Sequence, residues 1–279
     1  MKRFAIVLGV VVATYLIFFN PIHLQGLPFG KQRDSVTLTD QVNQIQVKTG
    51  SIQAEVVSDE GNQVHAKLSG QGSVSVQRSG DTVQVKTHRQ FTFFSWWNRS
   101  KVTITIPRSY AQTLSLDVGS GTLKFDDEAA YRKLAVNISS GSADLRGISV
   151  NSAQVDVHSG HLRMDQLHAR SAKLDIRSGN LNVTRFSGAF HAQVRSGNLT
   201  MGVAKLSGPV KITVNSGLAK VDLPNDADFS FNGKTNSGII RCTLPLKEKQ
   251  SGDKIISGVH GSGTYTFDAT VNSGVLRIY

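Results

Sequence analysis

The sequence predicts an all-β fold, a parallel β-solenoid of about 19–20-residue coils behind an N-terminal membrane-anchor helix. Three observations predict it. A phrase centred on Ser-Gly returns along most of the chain. Apolar and polar residues alternate on both sides of that phrase. Residues 4–19 form one uncharged run directly after Lys2 and Arg3.

The uncharged run reads FAIVLGVVVATYLIFF, and no charge follows it until Lys31. Basic residues before an apolar run and none just after it place the N-terminus in the cytoplasm. The run is short for a spanning helix, which needs roughly 17–25 residues. Asn20, Pro21, Ile22, His23 and Leu24 extend it into the interface. A cleaved signal peptide is the competing reading. Cleavage wants small residues at the end of the run, whereas residues 15–21 read YLIFFNP, and no cysteine follows for lipid attachment. The expectation is an uncleaved single-pass anchor. Residues 1–30 then form a cytoplasmic stub, span and linker, and residues 31–279 an extracytoplasmic domain. On either reading the remainder is exported.

From residue 116 the repeated phrase runs LDVGSGTLKF, VNISSGSADL, VDVHSGHLRM, LDIRSGNLNV, AQVRSGNLTM, ITVNSGLAKV, KTNSGIIRC and ATVNSGVLRI. Its glycines are Gly121, Gly141, Gly160, Gly179, Gly197, Gly217, Gly238 and Gly274. A unit around Gly50 is in phase, and a weaker one around Gly80 is shifted by one. Aligned on glycine, the position two before Ser-Gly and those two and four after glycine are apolar, Thr235 being the main exception. The positions between are polar, the alternation of a half-buried strand. The inward positions flanking Ser-Gly are five residues apart, an odd separation that puts them on opposite faces of a straight strand. The chain must therefore bend there, and glycine is expected because it accepts φ > 0. Such units are too short for strand–helix–strand crossovers. They suit solenoid coils stacked roughly 4.8 Å apart. A β-sandwich is the structural rival, but it need not repeat so regularly.

The segment from Ser35 to Pro107 is less regular, although VTITIP reads as a strand closed by proline. The run FTFFSWWNRS before it breaks the pattern, and LPLKEKQSGDKIISGVHGS, residues 244–262, is long and polar. Both read as excursions or caps, because the open ends of a coil stack need covering.

The composition sets bounds on chemistry. Glycine is common at 26 and proline scarce at 6, a mixture that favours short strands and tight turns. The formal net charge of +11 attracts polyanions. Cys242 is the one cysteine, which excludes an intrachain disulfide and a thiolate zinc cluster. Its inward column makes it a buried apolar residue.

The recurring phrase, as in VHSGHLRM and IRSGNLNV, resembles that of the bacterial putative-adhesin family, a group of domains of unknown function. The resemblance takes in the strand before the repeats, VTITIPRSYAQTLSLDVGSG, and spans roughly residues 35 to 279. Behind an N-terminal anchor, the chain is similar to accessory proteins encoded beside cell-envelope stress operons of the Lia type. The resemblance implies a parallel β-solenoid and a surface location. It supplies no catalytic or ligand residues to carry over.

Candidate chemistry is sparse. A serine nucleophile needs a base and an oxyanion hole at one position, so the serine column is read as turn hydroxyls bonding nearby backbone. His158, His161 and His168 fall within one coil, but two of them flank a corner and are read as solvated. Asp117, Asp156 and Asp175 share a column, and pairing with Arg177 or Arg195 across rungs is expected. A basic strip of His158, Arg177 and Arg195, with Arg163 in a neighbouring outward column, is a candidate surface for anionic wall polymer or lipid headgroups. Lys220, Arg241 and Arg277 continue the Arg163 column. The aromatic cluster Phe91, Phe93, Phe94, Trp96 and Trp97, followed by Arg99 and Lys101, suits a membrane interface, a sugar or peptide platform, or a structural cap. Nucleic acid is excluded by export, and neither cofactor nor metal is expected. The reading is a non-enzymatic cell-surface module, a contributor to adhesion or envelope-stress response whose partner is an anionic wall polymer, lipid headgroups or an envelope protein. A carbohydrate-active solenoid enzyme of the polysaccharide-lyase kind is the alternative.

Overall fold

The computed structural model describes residues 35–88 and 100–279. Residues Arg33–Tyr279 form one compact unit. Among the described residues there is no helix, and so none that is long and apolar enough to cross a membrane. The expected anchor lies outside the described residues.

Eight described strands precede the regular coils. They are β1 (Ser35–Thr37), β2 (Gln44–Thr49), β3 (Gln53–Asp59), β4 (Gln63–Ser69), β5 (Ser73–Ser79), β6 (Thr82–His88), β7 (Lys101–Pro107) and β8 (Thr113–Val118). Five long strands follow: β9 (Thr122–Ile138), β10 (Ser142–Val157), β11 (His161–Ile176), β12 (Asn180–Val194) and β13 (Asn198–Val214). Seven shorter ones complete the fold: β14 (Leu218–Asp222), β15 (Phe229–Thr235), β16 (Ile239–Cys242), β17 (Lys247–Ser251), β18 (Ile255–His260), β19 (Tyr265–Val271) and β20 (Val275–Ile278).

Each long strand is one turn of the repeat, and β9 to β13 pair in parallel with their sequence neighbours. The register sets like on like: Ala143 faces Leu162, Leu162 faces Leu181, and Leu181 faces Leu199. The apolar columns read from the sequence are therefore continuous through the core, where these residues are buried.

The coil bends more often than Ser-Gly alone implies. In β11 the buried residues are Leu162 and Met164, then Leu167 and Ala169, then Ala172, Leu174 and Ile176. A straight strand buries every second residue, so each step of three marks a bend. The coil has three short sides: a first side after Ser-Gly, a middle side, and a last side leading to the next Ser-Gly. At the first bend Gly147, Gln166 and Arg185 hold φ of 68°, 58° and 54°. Left-handed backbone costs a residue with a Cβ roughly 1–2 kcal/mol, while glycine loses about 0.5–1 kcal/mol in chain entropy. Gln166→Gly is accordingly expected to raise stability by up to about 1 kcal/mol, read as a higher urea midpoint; an unchanged or lower midpoint would contradict a strained corner.

The Ser-Gly corners behave otherwise than expected. None of their glycines has a positive φ. They are required by close stacking instead. A Cβ on Gly141, Gly160, Gly179, Gly197, Gly217 or Gly274 would come within 3.0 Å of the carbonyl oxygen of the glycine in the adjacent coil. Main-chain bonds link the corners directly: Ser159 N donates to Ser139 O at 2.8 Å, and Ser178 N to His158 O at 2.7 Å. The serine hydroxyls take no part in this ladder, and Ser159, Ser178 and Ser196 are exposed. Gly50 does belong to the stack, since Ser120 N donates to Gly50 O at 2.9 Å. Gly80 does not. It sits at φ 62° in the tight turn between antiparallel β5 and β6.

The C-terminal coils stack out of sequence order. On the first side β14 pairs with β20, and β20 with β16. On the last side β13 pairs with β19, and β19 with β15. The coil of Gly274 thus lies between those of Gly217 and Gly238. Among the described strands, Cys242 consequently has one cross-strand neighbour, Ile278, with Val221 on the far side of Ile278. It is half-buried, not fully enclosed, and burial pushes its thiol pKa up. The long polar segment after residue 244 forms β17 and β18, which extend the last side antiparallel beyond β15. The loop before β19 is held by Asp228. Its carboxylate accepts bonds from the Ser262 and Thr264 hydroxyls and from the amides of Ser262, Gly263 and Thr264. These bonds keep its pKa well below the usual carboxylate range.

Candidate functional site

The Ser-Gly corner carries the predicted basic strip. The corner ladder joins consecutive coils, with Ser178 N on His158 O and Ser196 N on Arg177 O, both at 2.7 Å. His158, Arg177 and Arg195 are therefore neighbours along one edge. Arg177 and Arg195 are exposed and His158 is half-buried. The Arg195 Nη2 donates to Asp175 Oδ2 at 3.1 Å, and this carboxylate raises the guanidinium pKa. Arg177 has no ion-pair partner among the described residues. The expected cross-rung pairing thus falls to Asp175 and Arg195, whereas Asp156 accepts a bond from Gln154 at 3.2 Å.

Arg163 lies on the outer face of the first side, between Asp144 and Asn182 in the adjacent coils. Asn182 and Thr200 then separate it from Lys220. Beyond that gap Lys220, Arg277 and Arg241 are consecutive neighbours. One column on paper is thus an isolated arginine and a separate basic triplet. Lys101 opens β7, away from both, and pairs with Glu55 at 2.6 Å. Phe91, Phe93, Phe94, Trp96, Trp97 and Arg99 lie outside the described residues.

Beside Arg163 is a shallow cavity of about 390 Å³, lined by His161, Asn180, Asn182, Asn198 and Thr200 among others. A side-chain ladder forms part of its wall. Asn198 Nδ2 donates to Asn180 Oδ1 at 2.8 Å, and Asn180 Nδ2 lies 3.0 Å from His161 Nδ1. A second ladder runs from Asn236 to Asn272 to Asn215, at 2.8 and 2.9 Å. Sequence reasoning missed both, although the asparagines recur at fixed offsets from glycine. The cavity offers amides, two hydroxyls (Ser142 and Thr200), an imidazole and one cation. Such groups bond hydroxyls and attract an anion.

The remaining polar groups are engaged with one another. Asp165 accepts bonds from the Thr184 hydroxyl and from Arg185, both at 2.6 Å, and the hydroxyl bond leads in holding its pKa below the ordinary range. Arg146 lies 3.4 Å from Asp144 and 3.8 Å from Asp126, although Asp144 Oδ1 and Arg146 Nε make no hydrogen bond. His168 lines a different cavity, of about 430 Å³, with Glu128, Ser149 and Gln166. Among the described residues no three His, Cys, Asp or Glu side chains come together as a metal site would require.

A profile of the family described as Toastrack DUF4097 matches residues 37–278. Among solved structures, a putative adhesin from Bacteroides fragilis is similar at 14% identity, with 88% of this chain and 95% of that chain covered and a TM-score of 0.50. A putative adhesin from Parabacteroides distasonis is similar at 10% identity over 88% of this chain and 95% of that chain, with a TM-score of 0.44. No curated protein matches the chain.

Proposed function

Because this chain belongs to the Toastrack DUF4097 family, we propose that it is a non-enzymatic cell-surface module, held by an anchor at residues 4–20, that contacts anionic envelope material through its basic Ser-Gly edge. Wall polymer and lipid headgroups present the chemistry that this edge would recognise. The observation that carries the reading is the position of Arg177. It stands between His158 and Arg195 at rung spacing, and of the three only Arg195 has a carboxylate partner among the described residues. Stacked like charges repel, and a polyanion laid along the edge removes that repulsion. Arg163 and its cavity lie beside this edge and extend it. The aromatic segment of Phe91, Phe93, Phe94, Trp96 and Trp97, with Arg99 and Lys101, is the second proposed contact, suited to a membrane close to the anchor.

The test is binding of the full chain, its anchor held in neutral-lipid nanodiscs, to poly(glycerol phosphate) and to phosphatidylglycerol vesicles. A basic residue near an anionic surface contributes about 1 kcal/mol, so Arg163→Gln with Arg177→Gln is expected to weaken binding about 30-fold. The loss should shrink as salt rises. Trp96→Ala with Trp97→Ala is expected to weaken vesicle binding in particular, with the melting curve unchanged. Wild-type affinity in the arginine pair would remove the edge from consideration.

A further inference from the structure

The first and last sides of the coil stack finish differently at their C-terminal ends. On the last side the terminal strand is β17, KEKQS, which is exposed throughout and holds three charges in five residues. Charged side chains are how sheets blunt a free edge. On the first side the terminal strand is β16, and its one strand partner among the described residues is β20. Ile239 N donates to Gly274 O at 3.0 Å, and Thr243 N to Ile278 O at 2.9 Å. Successive residues of a strand aim their main-chain groups to opposite sides. The amides and carbonyls of Ile240 and Cys242 therefore face away from β20, along a free edge that has one charge and no proline.

The side chains describe the same unfinished end. Leu276 and Ile278 of the preceding coil are fully buried, whereas Ile240 and Cys242 in the same columns are half-buried. Leu244 and Leu246 fold against this end of the core and cover it in part. Ile239 is 55% exposed, and Ile255 on β18 is 54% exposed. One more strand beside β16 would cover the inward pair.

Charge selects the occupant. Arg241, Arg277 and Lys220 form an outward run of three neighbours with no ion-pair partner among the described residues. Lys247, Lys249 and Lys254 are exposed nearby in sequence, against Glu248 and Asp253. A second copy of this chain brings the same basic end and a net charge of +11, so edge-to-edge self-pairing would oppose like charges.

We propose that β16 docks an acidic, extended polypeptide segment, which adds to the sheet as a strand. Main-chain bonds to Ile240 and Cys242 supply the pairing, as in other strand-addition sites. The strand period then dictates the ligand: apolar side chains beside Ile240 and Cys242, and carboxylates beside Arg241. This docking site is independent of the Ser-Gly edge.

The test uses the full chain and a synthetic peptide of alternating valine and glutamate, with an alternating valine–lysine peptide as control. Cys242 reports occupancy, because an added strand would shield its thiol. The acidic peptide is expected to slow alkylation of Cys242 at least tenfold, and the basic peptide to leave it unchanged. Arg241→Glu should weaken the acidic peptide at least tenfold and invert the preference. Ile240→Pro removes an outward amide while sparing the bonds to β20, and it should abolish protection. Should that variant unfold, the Arg241→Glu measurement decides alone. Equal protection by both peptides, no protection by either, or concentration-dependent protection without peptide, which would make the occupant a second copy, overturns the proposal.

Discussion

Gly179→Val is expected to cost about 3 kcal/mol or more, and Asn182→Ala no more than about 0.5 kcal/mol. Asn182 is exposed on the outer face of the first side, three residues from the glycine. At Gly179 a Cβ would lie 2.6 Å from Val157 Cγ1 and closer still to the carbonyl oxygen of Gly160. Neither obstacle is a flexible side-chain tip. The Gly160 oxygen accepts the Asn180 amide at 3.0 Å, and the Gly179 oxygen accepts the Asn198 amide at 3.0 Å. Moving the corner to admit a methyl group therefore strains ladder bonds on both sides of the coil, on top of the overpacking itself. Gly179→Ala should also destabilise, by about 2 kcal/mol, because the offending atom is the Cβ. The corner has no left-handed backbone, so close stacking is left as the cause of that loss. Denaturant melts of the three variants measure it. Equal midpoints for Gly179→Ala and Asn182→Ala would mean that the coils are not stacked as closely as described.

Phe267→Ala should cost about 3–5 kcal/mol, the usual range for deleting a fully buried aromatic side chain. Phe267 is 0% exposed, and its ring centre lies 5.6 Å from that of Phe229 and 5.4 Å from that of Phe231. It also faces Val210 across β13 and Phe231 across β15. The residue thus joins the regular stack to the closing coils, and its loss opens a cavity where they meet. The variant should lower the melting temperature and expose β15 to β18 to hydrogen exchange first. Uniform loss of protection through β9 to β13 would count against the out-of-order stacking.

Much of the body was legible because its physics repeats. Three apolar columns at fixed distances from glycine are a core seen edge-on, and the parallel register of β9 to β13 places them as the alignment implied. What stayed hidden has no repeating signature. The bends at Gly147, Gln166 and Arg185 fall on three unlike residues, because neighbouring coils impose the backbone there and local preference is overridden. The order of the last coils could not be read either. Gly238 and Gly274 both carry the phrase, and pairing depends on connection length and on how the aromatic side chains pack. The candidate site was legible in part. Residues before Ser-Gly share an edge by construction of the repeat, so His158, Arg177 and Arg195 had to meet. Whether a given arginine meets a carboxylate depends on side-chain reach, which composition does not encode.

The interleaved coil also makes folding depend on the direction in which the chain is made. Solenoids can add turns one at a time as residues emerge, each new turn templated by the last. That process runs from β9 to β14 and then stalls. The strands β15 and β16 appear next, but the surface that receives them belongs to β19 and β20, which emerge later. Until then the exposed floor of the stack is Val210, Ile212, Val214, Ala219 and Val221, an apolar ledge awaiting its cover. If turns are added in chain order, completion waits for β19 and β20, and a chain arrested before residue 265 would present that ledge to solvent and to other chains.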